Sequence, residues 1–329
     1  MATLSLAQVE ELVAKALMRC RTRADNARSV AKALVLAEAD GLLGHGLSRV
    51  TSYCAQAKAG KVDGFVVPAV TRTKPGIAGI DAKYGFAYPA LDAAIEILPR
   101  ITAETGIAAA GIRRSHHCGA AGHPAERLAR QGLVALLFAN TPAAIAPAGG
   151  KRGLFGTNPI AFACPLPGAD PIIIDVSLSK VARGNILAAK QRDELIPEGW
   201  ALDKDGKPTT DPDAALSGTM LPLGDAKGTV LALMVELLAA GLTDANYAAE
   251  ASSFLDAKGG PPGTGQLIIT IDPNNWGEGV QRFAALARAI ENETGARLAG
   301  ARRLAARKRA QENGLLVSDM RIAEISALH

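Results

Sequence analysis

Aromatic side chains are scarce in this chain: phenylalanine, tyrosine and tryptophan make up 4% of its 329 residues. The core must therefore be filled by Ala, Leu, Ile and Val. Cysteine is scarce too, and Cys20, Cys54, Cys118 and Cys164 form no CxxC pair. That spacing excludes a disulfide framework and suits free thiols in a reducing compartment. No run of 18 apolar residues occurs; the best, TVLALMVELLAAGL, is shorter and holds Glu236. The opening MATLSLAQVEELVAK has neither a basic n-region nor an apolar core. A cytoplasmic protein is expected, with no membrane partner.

Charge of one sign is also missing. Lys and Arg total 36 against 32 Asp and Glu, a net charge of +4, which argues for no particular polyanion. The one basic cluster, ARLAGARRLAARKR (296–309), has no interleaved aromatics, so a nucleic-acid stacking platform is not expected. Taken alone it reads as a solvated helix face. There is no G-x-G-x-x-G after a first strand. GDAKGT (224–229) carries Lys-Gly-Thr where a Walker loop carries Gly-Lys-Thr. Neither a Rossmann nor a P-loop reading has support.

The pattern that is present begins with helices. Ser5 and Gln8 have the spacing of a capping box, and Val9, Leu12, Val13, Ala16 and Leu17 then recur on one face. A second helix is predicted from about Asn26 to Asp40. The chain breaks at GLLGHG and resumes helically at SRVTSYCAQAKAG. From Gly64 short apolar runs alternate with Gly and Pro: FVVPAV, GIAGIDA, GIAAAGI, LVALLFAN, AAIAPAG, PIAFACPL and PIIIDVS read as strands. Helices are predicted near 89–104 and 123–131, then a loop at 203–215, an apolar helix at 227–241, the strand QLIITIDP and a helical C-terminus. Several strands follow one another with no helix between, so a mixed sheet is expected in an α/β (α+β) protein. The predicted organisation is a helical part, 1–62, joined by C-terminal helices from about 300–329, and an α/β part, 63–299.

Histidine is the scarce residue that carries information. Four of the five lie in two segments, GLLGHGLSRV (41–50) and RRSHHCGAAGHP (113–124). His45 sits between glycines that let backbone approach a ligand closely. Arg49, four residues on, can fork a carboxylate with two hydrogen bonds, and an imidazole can exchange a proton near neutral pH. The plainer reading is a capping histidine and a surface arginine. The glycine-bearing turn at SHHCGAAGHP precedes a helix whose first-turn N–H groups could meet phosphate. His116, His117 and His123 could instead bind zinc in a hydrolase, but no Cys or His elsewhere has ligand-like spacing. GGKRGLFGTNP (149–159) is a small-residue loop before a strand. Asp175 ends a strand, where a carboxylate can accept from a ribose hydroxyl. Lys227 stands at a helix start among glycines.

In this order the segments HGLSR, SHHCGAAG, LFGTNPIAF, DVS…ARG, LPLGDAKG, MVELLAAGLT and TGQLIITIDP resemble the malate/L-lactate dehydrogenase superfamily, oxidoreductases that use NAD(P)H without a Rossmann fold. Within it the chain is most similar to the ketimine reductases of Δ1-pyrroline-2-carboxylate and Δ1-piperideine-2-carboxylate. The alternative within the family is a dehydrogenase of a 2-hydroxy acid such as malate, lactate or sulfolactate. A relic that binds dinucleotide without turnover is a third class. The resemblance implies a non-Rossmann mixed-sheet fold, a homodimer, and NADPH as cofactor with NADH possible.

The resemblance also implies roles. His45 would be the proton donor, and Arg49 and Thr157 the substrate contacts. The turn His117, Cys118, Gly119, Ala120 and Ala121 would bind cofactor, as would Asp175, Val176 and Ser177. So would Ala226 with Lys227, and the segment Arg297, Leu298, Ala299, Gly300, Ala301, Arg302 and Arg303. Three positions depart from the family pattern. Gly44 stands where relatives carry serine, Asn185 where ketimine reductases carry aspartate, and Ala226 where the family has histidine. The serine and aspartate form the family's proposed relay behind the histidine, so Gly44 and Asn185 would leave His45 without a nearby negative charge.

Overall fold

The computed structural model describes residues 1–329. The chain runs β1 (Ala2–Leu4), α1 (Leu6–Arg19), α2 (Ala24–Ala39), α3 (Val50–Lys58), β2 (Ala69–Lys74), β3 (Ile77–Asp81), α4 (Ala87–Thr105), β4 (Ile107–Ser115) and α5 (Gly122–Ala129). It continues β5 (Val134–Ala139), β6 (Ile160–Leu166), β7 (Ala169–Val176), α6 (Arg183–Gln191), β8 (Ala201–Leu202), β9 (Pro208–Thr209), α7 (Pro212–Ser217) and β10 (Thr219–Met220). It ends α8 (Ala226–Glu236), β11 (Thr264–Ile271), α9 (Gly279–Glu291), α10 (Ala301–Asn313), β12 (Leu315–Val317) and α11 (Asp319–Ser326). The expected capping box is formed at α1: Ser5 Oγ accepts from Gln8 N, and Gln8 Oε1 accepts from Ser5 N.

The main sheet is mixed, as expected, in the order β2-β3-β4-β11-β5-β6-β7. Only β3 and β4 are parallel, and α4 is the crossover between them. Side chains of the central strands alternate between two layers. Ala135, Leu137 and Ala139 of β5 face a large apolar cluster that also holds Val13, Leu17, Leu34, Val50, Leu91 and Leu98. Phe138 faces the other way, with Leu267, Ala232, Val235 and Ala239. The N-terminal helices thus share one core with the sheet. A small sheet, β10-β8-β9, builds a separate apolar cluster with α6 and α7 around Ile186, Ile196 and Met220. No helix is long and apolar enough to cross a membrane.

Four local expectations fail. FVVPAV is not a strand until Ala69, because Pro68 has no N–H to give a ladder and Phe65 and Val67 face solvent. AAIAPAG forms only isolated bridges at Ile145, to Phe155 and Met220. The loop at 203–215 contains β9 and the start of α7, which Asp211 caps through Asp213 N. The helical C-terminus also hides β12, which pairs with β1 across the whole length of the chain.

One ionic group ties distant segments together. The Arg307 guanidinium on α10 forks Asp40 at 2.6 and 2.7 Å and Glu126 at 2.6 and 2.8 Å. The Asp40 carboxylate is 0% exposed and that of Glu126 3%. Burial pushes both carboxyls up, but the hydrogen bonds and charge of Arg307, joined by His123 at Asp40 and Arg130 at Glu126, outweigh it and hold both below their usual range. These are depressed carboxylates. Their contribution is present above the unfolded value of about 4 and is lost as pH falls through the folded value.

Arg307→Ala leaves two buried carboxylates short of a partner. The expected loss is on the order of 3 kcal/mol in urea unfolding at neutral pH. A loss below about 1 kcal/mol, the range of exposed pairs, would show that the fork does not hold these segments together.

Candidate active site

Helix α2 ends at Asp40, and Gly41, at φ +77°, turns the chain out of it. Two short 3₁₀ turns follow, Leu43–His45 and Leu47–Arg49. The glycines flanking His45 differ in kind. A Cβ on Gly46 would lie 2.1 Å from Glu38 Oε2, the oxygen that accepts Leu47 N at 2.8 Å. A Cβ on Gly44 would meet nothing within 4 Å. Arg49 Nε donates to Gly44 O at 2.7 Å and closes the loop on itself, while its terminal nitrogens have no protein partner. Those two nitrogens are the pair that can fork a carboxylate.

The half-buried His45 ring stacks on His117, with centroids 5.2 Å apart and planes inclined by 22°. Its Nδ1 is enclosed and has no hydrogen-bond partner. Burial, then the charge of Arg49, then that of His123, pull its pKa down to about 4. His45 is therefore neutral at neutral pH.

The turn after β4 presents three histidines to three different surroundings. His116 is enclosed by Tyr53, Phe86 and Phe254, with ring centroids 5.2, 5.8 and 5.2 Å away, and neither nitrogen is bonded. Burial first, then Lys61 and Arg49, lower its pKa to about 3. His117 Nδ1 lies 2.6 Å from Tyr53 Oη, and His123 Nε2 lies 2.9 Å from Asp40 Oδ2. The rings do not converge, and no group of three or more His, Cys, Asp or Glu could hold a metal ion. The zinc-hydrolase reading has no site. Cys118, Ala120 and Ala121 are buried, and Gly119, at φ +70°, packs so that a Cβ would lie 2.6 Å from Tyr88 Oη.

Asp175, at the end of β7, accepts from Gly122 N at 2.8 Å at the start of α5. Arg303 Nη1 lies 3.6 Å from the same carboxylate, whereas its Nε and Nη2 are buried without partners. Ala299 O accepts from Ile173 N at 3.5 Å, so the 299–303 segment runs along β7. The structure thus brings the His117–Ala121 turn, Asp175 and Arg303 together. Arg297 and Arg302 are exposed nearby in sequence; Leu298, Ala299 and Ala301 line a groove of about 440 Å³. Val176 is exposed, and Ser177 Oγ lies 2.8 Å from Ser179 Oγ. Thr157 accepts from Leu178 N through its carbonyl and donates its own N–H to Thr141 Oγ1. Residues 221–223 pair with 178–180, which carries the loop ending in Ala226 and Lys227 alongside Ser177. Both of those residues are exposed on the first turn of α8.

Asn185 is exposed on α6 and makes no hydrogen bond to the imidazole of His45. The sequence reading also missed Tyr53, Tyr88, Phe254 and Lys61. Lys61 Nζ is buried against the carbonyls of Ser253, Asp256 and Lys258 and holds the loop that carries Phe254. The available signal was aromatic scarcity: with four tyrosines in the chain, two stand beside this turn.

The two glycines give a paired test. Gly46→Ala should cost about 1–3 kcal/mol through overpacking against Glu38, read by thermal unfolding. Gly44→Ser should unfold like the parent. Equal behaviour of the two variants would contradict the assigned geometry.

Known proteins resemble this chain in sequence and in fold. The model of the malate/L-lactate dehydrogenase family matches residues 4–326. The chain is 49% identical over 315 residues to a (2R)-3-sulfolactate dehydrogenase (NADP(+)) of Chromohalobacter salexigens, covering 94% of this chain and 93% of that one. It is 38% identical over 333 residues to a Δ1-pyrroline-2-carboxylate reductase of Ancylobacter novellus, covering 99% and 97%. Its structure is similar to that of the Δ1-piperideine-2-carboxylate reductase of Pseudomonas syringae pv. tomato, with a TM-score of 0.95 over the whole of both chains at 37% identity. Matched over nearly its whole length in sequence and in fold, this chain belongs to the malate/L-lactate dehydrogenase family.

Proposed function

We propose that the chain is a nicotinamide-dependent oxidoreductase acting at C2 of a small carboxylate, and that it reduces Δ1-pyrroline-2-carboxylate or Δ1-piperideine-2-carboxylate to L-proline or L-pipecolate. The observation that carries this reading is the pair formed by Arg49 and His45. Arg49 keeps its two terminal nitrogens for a carboxylate, four residues from an imidazole stacked on the cofactor-type turn. With the carboxylate held there, the neighbouring C2 and its heteroatom fall to the two stacked imidazoles. His45 is neutral, so it meets that heteroatom as a hydrogen-bonding imidazole rather than as an imidazolium.

The residues present fit a dinucleotide. Arg303 offers two buried, unpartnered donors beside Asp175, and the turn before α5 is too close to Tyr88 for any side chain at Gly119. A bound reduced nicotinamide would supply the hydride. His117–Ala121, Asp175–Ser177, Ala226, Lys227 and Arg297–Arg303 would hold it. Exposed Arg297 and Arg302 add positive charge suited to a 2′-phosphate, which favours NADPH over NADH.

A second reading is oxidation of a 2-hydroxy acid such as sulfolactate. It is favoured by the 49% identity to the sulfolactate enzyme and by a neutral His45, which can accept a hydroxyl proton. The decisive experiment follows NADPH oxidation with pyrroline-, piperideine- and 2-oxo-carboxylates side by side. The first reading expects the two ketimines to turn over best; turnover of 2-oxo acids alone selects the second. No turnover of either class with NADPH or NADH removes both. In the same assay, Arg297→Glu with Arg302→Glu should weaken NADPH on the order of tenfold more than NADH, the scale of a charge-assisted phosphate contact. Equal losses would assign these arginines another role.

The chain is also proposed to pair with a second copy through α8. Between Lys227 and Glu236 that helix is apolar on both its exposed and its buried sides. Val230 and Leu233, with Leu237 in the turn that follows, are 65%, 42% and 53% exposed, while Ala232 and Val235 pack on the sheet. An exposed face of this kind marks an interaction surface. Light scattering after chromatography should give twice the chain mass, and Val230→Asp with Leu237→Asp should halve it. A parent that runs as a monomer rejects the pairing.

A further inference from the structure

Residues 252–262 make no backbone–backbone hydrogen bond, and within 251–260 only Phe254 is buried. Backbone carbonyls turned inward need donors, and here the donors are side chains from the end of α3. Gly60, at φ +75°, turns the chain out of that helix, and Lys61 N donates to Gln56 O at 3.0 Å. Lys61 Nζ then donates to the carbonyls of Ser253, Asp256 and Lys258 at 2.6, 3.0 and 2.7 Å. Gln56 Nε2 donates to those of Phe254 and Asp256 at 2.9 and 3.1 Å. An ammonium has three donors, and all three are taken. The Lys61 side chain is 1% exposed, whereas the Asp256 carboxylate stands 3.7 Å off and is half-exposed. Carbonyl dipoles, more than a counter-ion, therefore compensate this buried charge. Proteins hold a monovalent cation with rings of carbonyls in the same way.

We propose that Lys61 is a tethered monovalent cation and a positioning residue for the reaction: its three donors shape residues 253–258 and so set Phe254 against the histidine stack. This rests on the reading of reduction at C2, in which that stack faces the reacting atoms. The Phe254 ring lies 5.2 Å from His116 and 5.1 Å from His117, and His117 lies 5.2 Å from His45. The line of contact runs from Lys61 through the loop to Phe254, His117 and His45. Helix α3 starts directly after Arg49 and carries Gln56 near its other end. One short helix thus fixes both Arg49 and the loop that walls the histidines. The cage suits a compact ammonium whose donors rotate to three carbonyls, and a planar guanidinium does not match it. With the lysine stem cut back to Cβ, the vacated space suits a free primary alkylammonium of the same length, n-propylammonium. A quaternary ammonium of similar charge has no N–H to give.

The test compares Lys61→Ala, Lys61→Met and Phe254→Ala in the full-length protein, each with n-propylammonium or tetramethylammonium chloride at equal ionic strength. Lys61→Ala should lower kcat about 10²-fold, the scale of an ångström-sized misplacement, with KM for the cofactor unchanged. The second readout needs no turnover: trypsin cleavage after Lys258 in the substrate-free protein should quicken about tenfold as the loop opens. n-Propylammonium should reverse both changes in Lys61→Ala, and tetramethylammonium neither. Lys61→Met keeps the stem volume without the donors, so it should lose kcat in the same way and respond to neither salt. In the Phe254→Ala background the Lys61→Met change should cost little more, because residues on one path are not additive. A parent-like kcat in Lys61→Met, an equal response of Lys61→Ala to the two salts, or losses that multiply in the double variant would each overturn the proposal. If Lys61→Ala does not fold, Lys61→Met and the double variant decide. A parent that turns over no substrate marks failure of the functional reading instead, and the trypsin comparison still decides whether the cage holds a cation.

Discussion

The Arg307 fork is the interaction on which the site depends. Its two carboxylate partners are not arbitrary positions. Asp40 closes α2 and is followed at once by the loop that carries His45 and Arg49. Glu126 lies one turn beyond His123 on α5, the helix that starts from the cofactor-type turn. Arg307 itself is one turn beyond Arg303. A single guanidinium thus fixes, relative to one another, a loop near residue 45, a turn near 120 and an arginine near 303. Two buried carboxylates bind it because a lone buried charge would be costly and a bidentate pair of forks is not.

Around that frame the part of the site beside His45 is built from neutral groups. Arg49 supplies the free positive charge, and no carboxylate hydrogen-bonds to His45 to draw a proton onto it. The imidazoles of His45 and His116 consequently sit far below their ordinary pKa, and burial is the larger cause in both. The aromatic groups, few as they are, concentrate here: Tyr53, Phe86, Tyr88 and Phe254 wall the two adjacent histidines. His116 contributes packing, and His117 contributes a nitrogen bonded to a phenol.

Much of this was legible because it is local. The capping box of α1, the strands β5 and β11 and the run of strand, helix and strand at β3–α4–β4 follow from apolar pattern and short-range chemistry. His45, Arg49 and the SHHCGAAG turn stood out because histidine is rare and glycine marks close approach. What was not legible depends on distance along the chain. The pairing of β1 with β12, the burial of Lys61 under a loop two hundred residues away, and the Tyr53–His117 bond have no sequence spacing to announce them. AAIAPAG and FVVPAV misled for a related reason: an apolar run reads as a strand whether or not a partner strand arrives. Asn185 lies on α6, whose Ile186 and Ala189 belong to the small cluster around Met220.

The most direct measurement is the structure of the protein with NADP⁺ and a planar analogue of a cyclic ketimine, pyrrole-2-carboxylate. The account predicts the analogue carboxylate on the terminal nitrogens of Arg49, its ring nitrogen within hydrogen-bond reach of His45 or His117, and the Arg307 fork unchanged. An analogue bound away from Arg49, with the His45–His117 stack untouched, would contradict it.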